Sequence, residues 1–253
     1  MPRHMIAAPD WLTARPIAHR GLHSKARGLV ENTPAAAAAA IAKGYAIECD
    51  IQRAKDGEAM VFHDFTLDRL MRAQGRLDAY SAREIAAFAY KDSDQSIATL
   101  PAFLAFVDGR APLIIEVKSR FDGDQRLAER AIAVVADYRG PVCLKSFDPL
   151  ILAHIRAAGV ACPLGLVAEA SYGEADWPEL TPQMRARLTD LRDYPRILPD
   201  FLSWHVSDLP HAVPQLCRSG IGMPVMTWTV RSEADGAYAA PWADQIIFEG
   251  FEP

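Results

Sequence analysis

Two short stretches of this sequence place carboxylates at alternate positions. The first is Tyr45-Ala46-Ile47-Glu48-Cys49-Asp50-Ile51. Read as a strand, it puts Ala46, Glu48 and Asp50 on one face, with Tyr45, Ile47, Cys49 and Ile51 on the other, because side chains alternate with period two. The second repeats the pattern: Leu113, Ile115 and Val117 share one face, Ile114, Glu116 and Lys118 the other. If the two strands are neighbours, Glu48, Asp50 and Glu116 converge at one end of them. Buried carboxylates without partners repel one another and take up protons. One divalent cation removes that conflict, and an all-oxygen donor set suits Mg²⁺ or Ca²⁺ rather than zinc. Ion pairing of the same carboxylates with Lys118 and Arg20 is the alternative.

Two histidines stand at comparable places. His19 and Arg20 close a short apolar run, and His63 and Asp64 close another. Imidazoles exchange protons near neutrality, so His19 and His63 are candidates for an acid/base pair. Arg20 could fork onto a phosphate. Purely structural histidines and a surface ion pair are the alternatives. Lys145 is a second candidate phosphate contact. Trp228 could wall a substrate pocket or fill the interior, and His205 shares the face of Ser203 and Phe201.

These residues need strands to carry them. Eight candidates recur through the chain: Pro16–His19, Tyr45–Ile51, Pro112–Lys118, Pro141–Phe147, Pro163–Val167, Phe201–Val206, Pro224–Val230 and Gln245–Glu249. A ninth short run, Ala59–His63, follows the turn signal Lys55-Asp56-Gly57. Helical stretches alternate with them. Thr33-Pro34 reads as an N-cap followed by proline at the first helical position, with Gly44 as the stop. Six alanines, Ala35 to Ala40, let that helix approach a sheet closely. Later helices are expected over Gln125–Tyr138, Pro149–Ala158, Pro182–Arg192, Pro210–Ser219 and Ser232–Ala239. Regular alternation implies parallel strands with right-handed crossovers, and eight such units favour a closed TIM (β/α)8 barrel over an open sheet. No GxGxxG or P-loop pattern stands at a strand–helix turn. One domain over residues 1–253 is expected. Residues 64–100, with a polar helix near Ser81 to Tyr90, read as an insertion covering one mouth of the barrel.

The 253 residues include 27 basic and 32 acidic side chains, a net charge of −5. That balance argues against general nucleic-acid binding but not against an anionic substrate, which responds to local charge. Half the residues are hydrophobic, enough to exclude disorder. Met1 to Leu12 lacks the apolar core of a signal peptide. The longest mostly apolar run, Pro34 to Ala42, is far short of the roughly 20 residues a spanning helix needs, so no membrane anchor is expected. Cys49, Cys143, Cys162 and Cys217 form no CxxC pair and read as free thiols of a reducing compartment. A cytoplasmic protein with a small-molecule partner is expected; nothing indicates an oligomeric state.

The motifs have a specific likeness. His19-Arg20-Gly21, Glu31-Asn32-Thr33-Pro34, Glu48-x-Asp50, Asp56-Gly57, His63-Asp64 with Thr66-Leu67-Asp68-Arg69, and Glu116-Val117-Lys118 follow in order. Together they resemble the glycerophosphodiester phosphodiesterase family. Lys145-Ser146-Phe147-Asp148 resembles its Ser-Phe-Asp element, and Trp228-Thr229-Val230 with Ala243 to Ile247 its C-terminal strands. The resemblance implies a phosphatidylinositol-phosphodiesterase-like TIM barrel that hydrolyses a phosphodiester to glycerol 3-phosphate and an alcohol. By motif, Glu48, Asp50 and Glu116 match metal ligands, and His19 and His63 the general acid and base. Arg20 and Lys118 match phosphate contacts, and Glu31 and Asn32 a supporting motif. The chain departs from the family at Phe248-Glu249-Gly250-Phe251 and over Tyr172 to Pro199. Another phosphodiesterase or phospholipase D-type activity on the same barrel is one alternative, and a non-enzymatic barrel that binds a phosphorylated ligand is the other.

Overall fold

Every strand expected from the sequence forms, each within two residues of its expected bounds. The computed structural model describes residues 8–253, so the reading of Met1 to Leu12 lies partly outside the described residues. The strands are β1 (Ile17–Ala18), β2 (Ala46–Arg53), β3 (Ala59–Val61), β4 (Leu113–Val117), β5 (Val142–Ser146), β6 (Leu164–Ala168), β7 (Phe201–His205), β8 (Val225–Val230) and β9 (Gln245–Phe248). Eight parallel strands in this order, with β3 as an added antiparallel strand, make a TIM (β/α)8 barrel.

Two compact units can be described separately. One comprises Ile17–Lys118 with Asp124–Val142. In it β2 pairs in parallel with β1 and β4, and β3 folds back antiparallel on the end of β2. The β2–β4 register sets Glu48 opposite Ile114 and Asp50 opposite Glu116, so Asp50 and Glu116 share a face, as the alternation requires. Both strands are buried along almost their whole length. Parallel strands are covered on both sides, which is why the carboxylates on their shared face lose contact with water. The other unit comprises Cys143–Pro253 with Ser119–Gly123 and, of the described residues, 8–16. There β5 to β9 pair successively in parallel. Gly165 on β6 lies against the Phe201 ring, where a Cβ would come within 2.2 Å of the ring carbons.

Several helices start on one recipe. Thr33 Oγ1 accepts from Ala36 N at 3.2 Å, Pro34 takes the first helical position, and Gly44 ends the helix Pro34–Lys43 at φ 76°. Asp148 caps Pro149–Ala157 and Thr181 caps Pro182–Thr189 in the same way. The sequence reading missed the helix Leu100–Val107, although Thr99-Leu100-Pro101 carries this signature. Other helices differ in extent. The one expected near Ser81 to Tyr90 is the single turn Ala82–Ile85, held by a Ser81/Glu84 capping box. Beyond it Tyr90 pairs with Met71 and enters a core of Met60, Phe62, Leu67, Leu77, Ile85 and Ile97. Pro182–Thr189 stops short of Arg192 because Leu191 takes a left-handed conformation, φ 50°. The helix after Pro210 starts at Ala212 and widens to a π-turn over Leu216–Gly220. All four cysteines are free thiols. Among the described residues no helix is long and apolar enough to cross a membrane.

Candidate active site

The site begins at the end of β1. After Ala18 the chain turns sharply through Arg20 (φ 56°) and Gly21 (φ 77°). Gly21 is required there: a Cβ would lie 2.9 Å from the Ala36 backbone carbon, so only glycine lets the turn meet the alanine helix. Gly21 N donates to Ala18 O and Glu48 O at 3.1 and 3.2 Å, tying the turn to β2. Arg20 N donates to Glu48 Oε2 at 3.1 Å, and His19 Nε2 lies 3.9 Å from the same oxygen.

Glu48, Asp50 and Glu116 are buried, and each offers a carboxylate oxygen within 4.8 Å of the other two. Asn32, at φ 57° and 1% exposed, clamps Asp50 from both ends. Its Nδ2 donates to Asp50 Oδ2 at 2.9 Å, and its Oδ1 accepts from Asp50 N at 3.1 Å. Lys118 Nζ stands 3.0 Å from Asp50 Oδ1 and 2.6 Å from Glu116 Oε1. Arg20 Nε lies 3.4 Å from Asp50 Oδ2. Burial would raise the Asp50 carboxyl, but Lys118, His63, Arg20 and His19 together hold it well below the ordinary carboxylate value. Lys118 is likewise raised: burial opposes its charge, and Asp50 and Glu116 outweigh burial. The ion pairing foreseen as an alternative to a cation is thus present.

Glu31, Glu48, Asp50, Asp64 and Glu116 face Arg20, Arg69 and Lys118. Five carboxylates here meet three basic side chains, an excess of acid that protonated histidines or one divalent cation would offset. Hard oxygen donors in a buried cluster fit Mg²⁺ or Ca²⁺.

His63 follows β3, its backbone carbonyl accepting from Gln52 Nε2 at 2.8 Å. Its Nδ1 lies 2.8 Å from Asp64 Oδ1. Asp64 is gripped by Arg69, Nε to Oδ2 at 2.6 Å and Nη2 to Oδ1 at 2.9 Å. Arg69 also forks onto Glu31, and Glu31 accepts from Arg20 Nη1 at 2.8 Å. Asp64 and Arg69 were missed as site residues, although the spacing His63-Asp64-x4-Arg69 was visible in the sequence. Glu31 and Asn32 take separate parts: Asn32 holds Asp50, while Glu31 joins two arginines.

In the other unit, Lys145 on β5 is buried, and its backbone pairs with Gly165. Trp228 on β8 is half-buried and donates from Nε1 to Ser203 O at 3.0 Å. Its ring meets Phe147 edge-on at 5.3 Å and His205 at 4.7 Å.

A TIM barrel whose strand ends carry buried carboxylates, basic side chains and histidines has the groups that metal-assisted hydrolysis of a phosphate ester uses. The profile of the glycerophosphoryl diester phosphodiesterase family matches residues 19–250, and the chain belongs to that family. It is a phosphodiesterase. A glycerophosphodiester phosphodiesterase of Caldanaerobacter subterraneus subsp. tengcongensis is 29% identical over 168 residues, 62% of this chain and 68% of that protein. Among solved structures, a phosphodiesterase of Oleispira antarctica, in complex with the product sn-glycerol-3-phosphate, matches with a TM-score of 0.74 at 19% identity, covering 92% of this chain and 91% of that one. A glycerophosphodiester phosphodiesterase of Thermotoga maritima matches with a TM-score of 0.69 at 20% identity, covering 92% of each chain. These two structural likenesses are likenesses of fold.

Proposed function

We propose that this chain hydrolyses glycerophosphodiesters to glycerol 3-phosphate and an alcohol, with one Mg²⁺ or Ca²⁺ held by Glu48, Asp50 and Glu116 and with His19 and His63 as general acid and base. The observation that carries this reading is the gathering of three buried carboxylates within 4.8 Å, with His19 Nε2 3.9 Å from Glu48 Oε2. A cation bound there supplies Lewis acidity toward a phosphoryl oxygen.

The chain's own residues do the rest. Arg20 and Lys118 hold the phosphate and stabilise charge as it gathers on the equatorial oxygens. One histidine takes the proton from the nucleophile, either the glycerol 2-hydroxyl or a water, and the other protonates the departing alkoxide; where the hydroxyl attacks, a five-membered cyclic phosphate forms and a water must then open it to give glycerol 3-phosphate. The Nδ1 of His63 is engaged by Asp64, so its Nε2 is the atom that moves the proton. Asn32 keeps Asp50 oriented and Glu31 keeps Arg20 oriented. The catalytic domain spans the whole chain, with residues 64–100 as an insertion. The substrate is a small soluble diester and the enzyme is cytoplasmic.

The test is turnover of a glycerophosphodiester panel (choline, ethanolamine, glycerol and inositol), read as glycerol 3-phosphate. His19→Ala and His63→Ala should each lower kcat by roughly 10²–10⁴. Near-wild-type turnover in both variants would sink the assignment.

A further inference from the structure

Arg69 is the residue of this site whose geometry outruns any role given so far. It lies on the segment after β3, and its side chain is 45% exposed. Exposed ion pairs contribute little to stability, since water screens them and two long side chains must be ordered. Yet Arg69 spends Nε, Nη1 and Nη2 on two carboxylates at once. Nε and Nη2 meet both oxygens of Asp64 at 2.6 and 2.9 Å. Nη1 and Nη2 meet both oxygens of Glu31 at 2.9 and 2.7 Å. A guanidinium donates in a fixed planar fork, so a doubly bidentate arrangement fixes the angle between the two acids as well as their distance.

What the two acids hold is informative. Asp64 accepts from His63 Nδ1 at 2.8 Å, which sets the tautomer and leaves Nε2 bare. Glu31 accepts from Arg20 Nη1 at 2.8 Å. Arg69 therefore ties the histidine segment to the turn after β1. Without it, Asp64 would keep its hydrogen bond to His63 but lose both contacts that stop the carboxylate from rotating. The Arg20 side has independent support, because its backbone N is fixed on Glu48 at 3.1 Å and its Nε lies beside Asp50 at 3.4 Å. The histidine side has no second brace on the Asp64 carboxylate among the described contacts.

We propose that Arg69 is a positioning residue for His63. Acting through Asp64, it holds the imidazole with Nε2 presented for proton transfer. This rests on the reading of His63 as acid or base, and the experiment separates the two. Arg69→Ala, Arg69→Lys, His63→Ala, the double variant Arg69→Ala/His63→Ala and the control Arg72→Ala, an exposed arginine paired with exposed Asp94, are assayed on glycerophosphocholine with Mg²⁺ or Ca²⁺. Arg69→Ala should lower kcat roughly 10–100-fold with little change in KM, the usual scale for removing a partner that orients a reacting group. Arg69→Lys should do the same, because an ammonium cannot fork. Added guanidinium should restore part of the activity of Arg69→Ala. In the His63→Ala background the Arg69 change should alter kcat less than about twofold. Arg72→Ala should match wild type.

Wild-type kcat in Arg69→Ala, or an equal loss in the His63→Ala background, would overturn the proposal. If Arg69→Ala does not fold, Arg69→Lys supplies the same test. A readout independent of turnover is the His63 Nδ1–H resonance, assigned by its loss in His63→Ala. It should broaden or vanish in Arg69→Ala, and an unchanged resonance would refute the proposal. An inactive wild type with the resonance lost in Arg69→Ala would instead defeat the proposed function and leave the positioning role standing.

Discussion

Replacing Asn32 tests how the carboxylate cluster is held. Its amide makes two buried hydrogen bonds to one residue, at 2.9 Å to Asp50 Oδ2 and at 3.1 Å from Asp50 N. Asn32→Ala removes a bond to a charged acceptor, worth about 1.5–3 kcal/mol, and strands a buried backbone N–H, costing about 1–3 kcal/mol. Alanine must also adopt the left-handed φ of 57°, at about 1–2 kcal/mol. Together these put the loss at about 3.5–8 kcal/mol, a large part of the total of about 5–15 kcal/mol that holds a domain folded. Asn32→Gly keeps the permitted φ and should lose only the hydrogen-bond part, so the difference between the two variants isolates the backbone term. Asn32→Asp is the sharper probe. It sets a second carboxylate 2.9 Å from Asp50 Oδ2, so it should be strongly destabilised without cation. Mg²⁺ or Ca²⁺ should restore more stability to it than to wild type, because the cation binds only the folded state. The assay is urea denaturation at pH 7, with EDTA and with saturating cation. If Asn32→Ala and Asn32→Gly both lie within about 0.5 kcal/mol of wild type, the range of ordinary surface substitutions, the clamp does not hold Asp50. If cation fails to favour Asn32→Asp, the cluster is no cation site.

Three further outcomes follow from the same geometry. Gly21→Ala should cost about 2–4 kcal/mol, from a left-handed φ and an overlap that must be relieved, and should also lower kcat because Gly21 N holds the Glu48 carbonyl; urea denaturation and turnover check both. Hydrogen bonding from the Arg126 side chain, opposed by partial burial, holds the Asp124 carboxyl down at about 2. A lowered acid stabilises the fold above its ordinary value and loses that contribution as pH falls through the folded value. The stability difference between wild type and Asp124→Asn should therefore be full at pH 6 and shrink towards pH 2, and a constant difference would refute it. Thr33→Ala should cost about 1 kcal/mol through the lost cap, read as a lower urea midpoint at unchanged slope.

Much of this was legible because strand periodicity and burial obey simple rules. The alternation in Tyr45–Ile51 and Pro112–Lys118 put Glu48, Asp50 and Glu116 on matching faces, and the observed register pairs Asp50 with Glu116. Thr33, Pro34 and Gly44 marked a helix whose bounds they set. What the sequence could not yield depends on side chains meeting across loops. Glu31 and Arg69 are 38 positions apart, and nothing local says that one guanidinium bridges Glu31 and Asp64. The helix expected over Ser81 to Tyr90 failed for a tertiary reason: Tyr90 is drawn into the core built around Met60 and Phe62. Leu100–Val107 was missed although Thr99 and Pro101 announced it, because its composition reads as a buried run.

The central claim is that the carboxylate cluster holds the cation on which phosphodiester cleavage depends. The most direct measurement is glycerol 3-phosphate release from glycerophosphocholine by the wild-type protein, first in EDTA and then after Mg²⁺ or Ca²⁺ is added back, beside Glu116→Gln under the same conditions. Release should stop in EDTA, return with one of the two cations, and stay low in Glu116→Gln. Release that is indifferent to chelation, or undiminished in Glu116→Gln, would contradict the account.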